Sequence, residues 1–572
     1  MPGGLLRLVC YGNENQFVNG NPQDTMFYKA FIRYTHFSQE PIQIPVDGPD
    51  SLYMDAPILV KAKIPRQGDL LSDLVLRFTL PDIFSKAFLR DGPLGIELDR
   101  KYEFAWVRQI GVQLIDTVTF TIGGQKIQEF TSDWIAARAA IDYDNTTYQK
   151  WRALVGDIPE CFDPAQGVYA APGNLYPNVM AWRGSTRLPK PVQNNAASIP
   201  GRVVRVPLGL WFSDFIANSL PLVALQYHEA EIQIKLRTIR DLYTVLDPAG
   251  VRLRSNAQSL PYLPSDQYTA VWNPKQLGAI PDTLNNHYKT VTDISGSMRN
   301  FLTDISGAVP TSDGWPLNMT LEALYTFVTP EEQRVFTKKA IRYNVRQAQN
   351  FIFNGVTTRE TYRLDVHNIS TRIAYFARRS DATAYRNQPT NLTNWIHTQG
   401  AKRPIAQPVG PDCSGAVYGQ SNAFPLYYVV NGVHVPIGNS GLNIQGLQRR
   451  ILRNVFLTAN GQPLFDSIDS EYFTTYVPFK YLKGDGMPYN DYGLATQGEM
   501  WPIHVYSFAI DGSSVQQPTG SLNASRIDRL EMDIDVEPIP FLANYTYEIQ
   551  VFVETLNFLE ISNGLGGLKF AK

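Results

Sequence analysis

The sequence predicts an all-β protein built as two similar halves, and three observations carry that expectation. Aromatic residues make up 12 % of the chain and charged residues only 18 %, with 41 Gly and 39 Pro; this mixture favours many short strands joined by turns over long charged helices. Several segments alternate apolar and polar residues with a period of two, the pattern of a strand with one buried and one wet face. A strand, a glycine hairpin and a helix with an N-cap residue recur in that order in each half.

The alternating segments define the strands. In "SDLVLRFTLP" the inward set is Leu74, Leu76, Phe78 and Leu80, against Asp73, Val75, Arg77 and Thr79. "AEIQIKLR" places Ala230, Ile232, Ile234 and Leu236 inward, and "LEMDIDVEP" does the same with Leu530, Met532, Ile534 and Val536. "YEIQVFVET" adds Ile549, Val551 and Val553. Strands with one wet face belong to antiparallel sheets. Gly123-Gly124 in "TIGGQKI" and Asn460-Gly461 in "TANGQPLF" supply the positive φ angles that tight hairpins require. Two helices are expected, one opening near Thr131 and Ser132 before "DWIAARAAI", the other near Ser467 in "DSIDSEYFTTYV".

These helices anchor the repeat. Gly124-Gln125 and Gly461-Gln462 each close a hairpin before a helix; downstream come a Pro-led aromatic strand ("VPLGLWFSDF", "WPIHVYSFAI") and an alternating strand ("HEAEIQIKLR", "SRIDRLEMDID"). Likeness at so long a period is the mark of a tandem duplication. The expected organisation is an arm at 1–24, a first domain at 25–240, a connecting segment at 241–315, a second domain at 316–560 and a tail at 561–572. Pro, Gly, Asn and Ser gather at 167–180, 255–267 and 381–439, where long surface loops are expected.

Charge and cysteine content narrow the function. Lys plus Arg (51) balances Asp plus Glu (53), so no global field draws the chain to a polyanion and direct nucleic-acid binding is not expected. Cys10, Cys161 and Cys413 are few and far apart, as a reducing compartment tolerates. The start "MPGGLLRLVCYGNENQF" lacks the apolar length of a secretory signal, and no apolar run approaches the ~20 residues that span a bilayer.

A search for chemistry returns structural explanations. His36, His228, His287, His367, His397, His434 and His504 stand singly, without the paired spacing of a metal site. Asp533, Asp535 and Glu537 share a strand face and would suit Ca²⁺ or sugar hydrolysis, but any solvated strand face produces that spacing. "IGGQKIQ" lacks the phosphate-cradling spacing, Ser507 and Ser514 sit in no nucleophile elbow, and Cys161 has no His nearby in sequence. No catalytic, cofactor-binding or metal-binding residue is assigned.

The stretch "VYSFAIDGSSVQQPTGSLNASRID", from Val505 to Asp528, leads an aromatic strand into the corner Gln517-Pro518-Thr519-Gly520, followed by Asn523, Ser525, Arg526 and Asp528. It resembles a signature of the major capsid proteins of nucleocytoplasmic large DNA viruses. The start, with Gly20-Asn21-Pro22 followed by Thr25 and Phe27, resembles that family's amino-terminal arm. "FAWVRQIGVQLIDTVTFTIGGQKIQ", "PLVALQYHEAEIQI" with Gln226, Tyr227 and His228, and the closing "LNFLEISNGLGGLKFAK" are similar to further family blocks in the same order. The chain departs from the family pattern at Gly512 to Gln516 and at Tyr34 and His36.

The resemblance implies two tandem eight-stranded antiparallel jelly-roll β-sandwiches with short helices and long surface loops. It implies a homotrimer that forms one capsomer, because three copies of two similar wedges give a near-sixfold outline. Neighbouring capsomers, minor capsid and penton proteins and inner membrane-associated proteins are the implied partners. The implied location is the virion shell, after synthesis and assembly in the host cytoplasm. Asn21, Pro22, Gln226, Tyr227, His228, Gln517, Pro518, Gly520, Asn523, Ser525, Arg526 and Asp528 are then assembly or structural positions. Arg526 and Asp528 are expected to fasten the corner to a neighbouring strand or subunit. The alternatives are a minor capsid, penton or scaffold protein of the same fold, and a carbohydrate-binding jelly roll.

Overall fold

A computed structural model describes residues 13, 16–28, 31–85, 87–92, 95–100, 103–162, 164, 180–182, 197–246, 252–253, 298–302, 314–380, 389–390, 392, 394–395, 427–430, 433–436, 448–484, 503–513, 517–539 and 545–570. The loops expected at 167–179 and 255–267, and most of 381–439, lie outside the described residues. So do Cys10, Cys413, His287, His397 and Ser514.

Strands β1 (Phe37–Pro45), β2 (Ile58–Lys63), β3 (Leu70–Leu80), β4 (Ile115–Ile122), β5 (Gln125–Thr131), β6 (Arg202–Pro207), β7 (Ala230–Leu236) and β8 (Thr320–Val328) form the first sandwich. Strands β9 (Ile341–Val356), β10 (Glu360–Leu364), β11 (Ile369–Arg379), β12 (Leu452–Ala459), β13 (Gln462–Asp469), β14 (His504–Ser507), β15 (Leu530–Val536) and β16 (Tyr547–Ser562) form the second. The first has sheets ordered β1-β8-β3-β6 and β2-β7-β4-β5; the second has β9-β16-β11-β14 and β10-β15-β12-β13. Adding eight to each strand number converts one half into the other. All these pairings are antiparallel, so each half is an eight-stranded jelly roll.

The duplication extends to an irregularity. On β3, Asp73 pairs Leu324 and Leu71 pairs Tyr325, leaving Ser72 as an extra residue. On β11, Arg372 pairs Glu554 and Ser370 pairs Thr555, leaving Thr371 extra. A bulge at the same place in corresponding strands fixes residue-by-residue equivalence between the halves.

Local expectations hold where the chain is locally determined. Strands β3, β7 and β15 bury the predicted residues and leave the intervening ones half-buried or exposed. Gly123, Gly124, Asn460 and Gly461 all adopt positive φ at the two hairpins. Helix α1 (Ser132–Asp142) starts as expected, with Thr131 in the N-cap position but without a side-chain capping bond. Helix α2 (Asn145–Leu154), led by Asp144, went unanticipated. So did α3 (Pro330–Lys338), whose Thr329, Pro330, Glu331 and Glu332 are a readable start signal. The helix expected near Ser467 begins after β13 with a wide turn, Tyr472–Tyr476, and continues as α4 (Val477–Tyr481).

Four expectations change. The second half does not start at 316: Trp315–Pro316 pairs with Ser51–Leu52, and β8 lies between β1 and β3. A jelly roll closes when its last strand returns beside its first, so the first half is complete only at Val328, and a 25–240 domain would lack its eighth strand. The segment expected to connect the halves also pairs backward, Tyr243–Leu246 against Glu103–Trp106. The tail is not separate, since Leu565–Leu568 pairs with Leu559–Ser562 of β16. Finally, β16 buries not only Ile549, Val551 and Val553 but also Gln550, Phe552 and Glu554. Its second face is covered by the first half.

Candidate assembly surfaces

That covering element is α1, and the seam it makes is the most charged buried region among the described residues. Trp134 packs on Phe552 with ring centroids 5.2 Å apart. Arg372 on β11 donates to Asp142 and to Glu554, each at 2.9 Å, and to the carbonyl of Gly512 at 3.0 Å. Arg346 on β9 grips both Glu554 oxygens at 2.9 and 2.7 Å, and Thr371 donates to Glu554 at 3.1 Å. At the other end of α1, Arg378 bridges Asp133 at 3.3 Å and Glu548 at 2.7 Å. Arg138 joins Asp142 to Asp214.

The electrostatics follow from burial set against guanidinium groups. Burial would raise the Asp142 carboxyl, but Arg372, Arg346 and Arg138 hold it below the usual range. Glu554 is likewise lowered, with burial outweighed by Arg346 and Arg372. Asp214 goes the other way: burial raises it and Arg138 only partly offsets that. Breaking such a cluster costs far more than its formation gains, so it enforces one geometry between the halves. The edges of β5 and β9 are sealed by amides: Gln128 donates to the Arg346 carbonyl at 2.8 Å, and Gln347 to the Ile127 carbonyl at 2.6 Å.

The sequence-predicted positions fall into three places. Gln226, Tyr227 and His228 tie the first half to the tail. Arg66 donates to the carbonyls of Gln226 and His228 at 2.9 and 3.1 Å, the Tyr227 amide donates to Gly564 at 3.0 Å, and His228 Nδ1 lies 3.2 Å from the Gly566 amide. Gly564 has φ +80, and a Cβ there would stand 2.6 Å from the Tyr227 ring.

The corner is held by contacts within the chain. Thr519 receives the Asp511 amide at 2.9 Å, Gly520 takes φ +149 against the Phe508 carbonyl, and Gln517 and Pro518 are exposed. Asn523 pairs with Ile369, and Ser525 accepts the Asn368 amide at 2.9 Å. Among the described residues the side chains of Arg526 and Asp528 make no hydrogen bond or ion pair to a neighbouring strand of the same chain. Both residues are exposed; Asp528 contributes only its carbonyl, to Arg363 at 3.2 Å, because the short 3-10 turn Ala524–Arg526 points the polar side chains outward.

Asn21 and Pro22 follow the short helix Gln16–Asn19, Asn21 with φ 52, and both are exposed. Sequence inspection missed the seam residues Arg346, Arg372 and Glu554, whose spacing on their strands looks like any wet face.

Comparison with known proteins decides the family. Residues 25–269 match the family described as major capsid protein N-terminus, and residues 332–567 match large eukaryotic DNA virus major capsid protein. The chain belongs to the major capsid protein family of large eukaryotic DNA viruses. The major capsid protein of Phaeocystis pouchetii virus is 23 % identical over 610 residues, covering 100 % of both chains. Capsid protein 1 of Acanthamoeba polyphaga mimivirus is 29 % identical over 248 residues, 43 % of this chain and 36 % of that protein. The Faustovirus major capsid protein structure aligns with a TM-score of 0.57 at 14 % identity, over 98 % of this chain and 99 % of that one, so the double jelly roll is shared.

Capsid proteins of this family are structural components of virions that self-assemble into capsomers and shell. The remaining chemical candidates in this capsid protein have the following surroundings. Asp533 is held by Arg359 at 2.7 Å and Thr361 at 3.1 Å, and Glu537 lies 3.7 Å from both Arg450 and Arg453. Among the described residues no group of three or more His, Cys, Asp or Glu is placed to hold a metal ion. Burial pushes the Cys161 thiol up to about 11, the opposite of an activated nucleophile. No helix among the described residues is long and apolar enough to cross a membrane.

Proposed function

We propose that this chain is the principal shell subunit of a large double-stranded DNA virus and that three copies form one capsomer with a near-hexagonal outline. The observation that carries the trimer is the matching strand order and bulge of the two halves, joined by a rigid seam. Two equivalent wedges per chain let threefold symmetry produce six near-equivalent positions around a ring. The capsomers tile a shell with neighbouring capsomers, minor capsid and penton proteins as partners, and inner membrane-associated proteins beneath. Synthesis and assembly take place in the host cytoplasm. The arm and the residues that follow it, with Phe17, Met26, Phe27 and Phe31 almost fully exposed in the single chain, supply contacts to those partners.

Sedimentation and negative-stain imaging of the purified protein test this directly. The expected outcome is a trimer with a hexagonal footprint, dominant by mass in virions. A monomer at all concentrations, present in particles only in trace, would overturn it in favour of a minor component.

A further inference from the structure

Within the chain a helix of one sandwich covers an outer sheet face of the other, and among the described residues both surfaces needed for a second contact of that kind are open. Within the chain, the helix after β5 covers the outer face of sheet β9-β16-β11-β14. Among the described residues the equivalent helix after β13 and the equivalent outer face of β1-β8-β3-β6 lack such a cover. Helix α1 is buried on nearly every side, whereas Glu471, Tyr476, Phe479 and Lys480 of the second helix are exposed, Phe479 at 86 %. Strand β11 is buried on both faces, whereas β3 leaves Asp73, Val75, Arg77 and Thr79 half-buried, and β8 leaves Glu322 and Leu324 so.

The shared bulge and the helix starts make the equivalence specific. Arg372 corresponds to Asp73, and Glu554 to Leu324. Aligned by sequence from the buried serines that open the helices, Ser132 and Ser470, Asp142 falls opposite Lys480 and Tyr143 opposite Tyr481. The seam pair Asp142–Arg372 therefore maps onto Lys480–Asp73, with both charges reversed. The surroundings correspond as well. Arg372 donates to Gly512, whose amide donates to the Tyr481 carbonyl, and the Tyr143 phenol, raised mainly by burial, also feels the charge of Asp73. No ion pair engages Lys480 or Asp73 among the described residues.

We propose that the helical segment Tyr472–Tyr481 of one copy packs on the outer face of β1-β8-β3-β6 of a second copy, with Lys480 paired to Asp73 and Phe479 and Tyr476 laid over Val75 and Leu324. This rests on the trimer reading and names its interface. The contact is head-to-tail, since donor and acceptor surfaces differ, and such a contact closes into a ring when repeated at the right rotation. Six sandwiches then meet through six related seams, three within chains and three between them. Reversed charge keeps the two kinds apart: Lys480 opposes Arg372, and Asp142 opposes Asp73.

Sedimentation across a concentration series of the full chain tests it, using wild type, Lys480→Glu, Asp73→Lys and the double reversal Asp73→Lys/Lys480→Glu. Each single reversal is expected to raise the concentration of half-assembly by about tenfold or more, and the double to return it to within about threefold of wild type. Trimers that form equally well in the single variants, or no recovery in the double, overturn this surface while leaving the trimer intact. A wild type that stays monomeric overturns the trimer itself. Should the Asp73 variants misfold, Phe479→Asp serves in their place: assembly is lost with an unchanged unfolding midpoint, and unimpaired assembly refutes the surface.

Discussion

The two sandwiches share strand order, bulge position and the helix that follows the fifth strand, yet they differ in what covers their matching sheets. In the second, Arg372, Phe552 and Glu554 lie beneath α1 and are sealed from solvent. In the first, Arg77 and Arg205 hold Glu322 at a face that is open in the single chain, with Arg205 to Glu322 at 2.8 Å. One topology thus supports a dry polar seam in one place and a half-wet surface in the other. Burial here is a property of the neighbour, not of the strand.

That contrast breaks most sharply at Arg372. Arg372→Met leaves Asp142 without its main countercharge and Glu554 with Arg346 alone, and denaturant unfolding should record a loss of about 3–5 kcal/mol. The counterpart change, Asp73→Asn, should cost less than about 1 kcal/mol in the isolated chain; equal losses would erase the distinction.

Acid should act next. Asp142 and Glu554 are lowered in the folded chain, so their stabilisation is complete above the ordinary values of 3.8 and 4.5 and is lost as pH falls below them. Asp214 is raised above 3.8, so its protonation favours the folded form and opposes that loss. A thermal midpoint followed against pH should hold at neutral and mildly acidic pH, then drop, and Asp214→Asn should steepen the drop. A midpoint already falling between about pH 7 and 6 would contradict the assignment, since the carboxylates titrate lower.

Smaller effects sharpen the tie between the halves. Gly564→Ala forces a side chain into a left-handed position against the Tyr227 ring, with an expected cost of about 1–2 kcal/mol and faster amide exchange along Leu565–Leu568. Arg526→Ala, exposed and unpaired among the described residues, should change the unfolding midpoint by no more than about 0.5 kcal/mol. A larger effect would restore the fastening role that the corner's geometry assigns to Ser525 and Asn523.

Much of the assembly surface was illegible for a physical reason. The corner was recognisable because Pro518, Gly520 and Asn523 carry backbone constraints in their own covalent structure. The segment Gln226 to His228 was marked by family likeness, but its purpose depends on Arg66, Gly564 and Gly566, which are distant in sequence. Arg346 and Arg372 gave no signal, because a buried guanidinium and a solvated one occupy the same alternating position on a strand.

The amino-acid sequence by itself determined the strand faces of β3, β7 and β15, the hairpins at Gly123 and Asn460, and the existence of two similar halves. These depend on side-chain alternation and backbone φ, which act over a few residues. Only the tertiary structure decided that β8 completes the first sandwich, that the tail pairs with β16, and that Glu554 is buried. Those outcomes depend on which distant strand or helix arrives alongside, and a hydrogen-bond edge or a charged face accepts any partner whose register and charge fit.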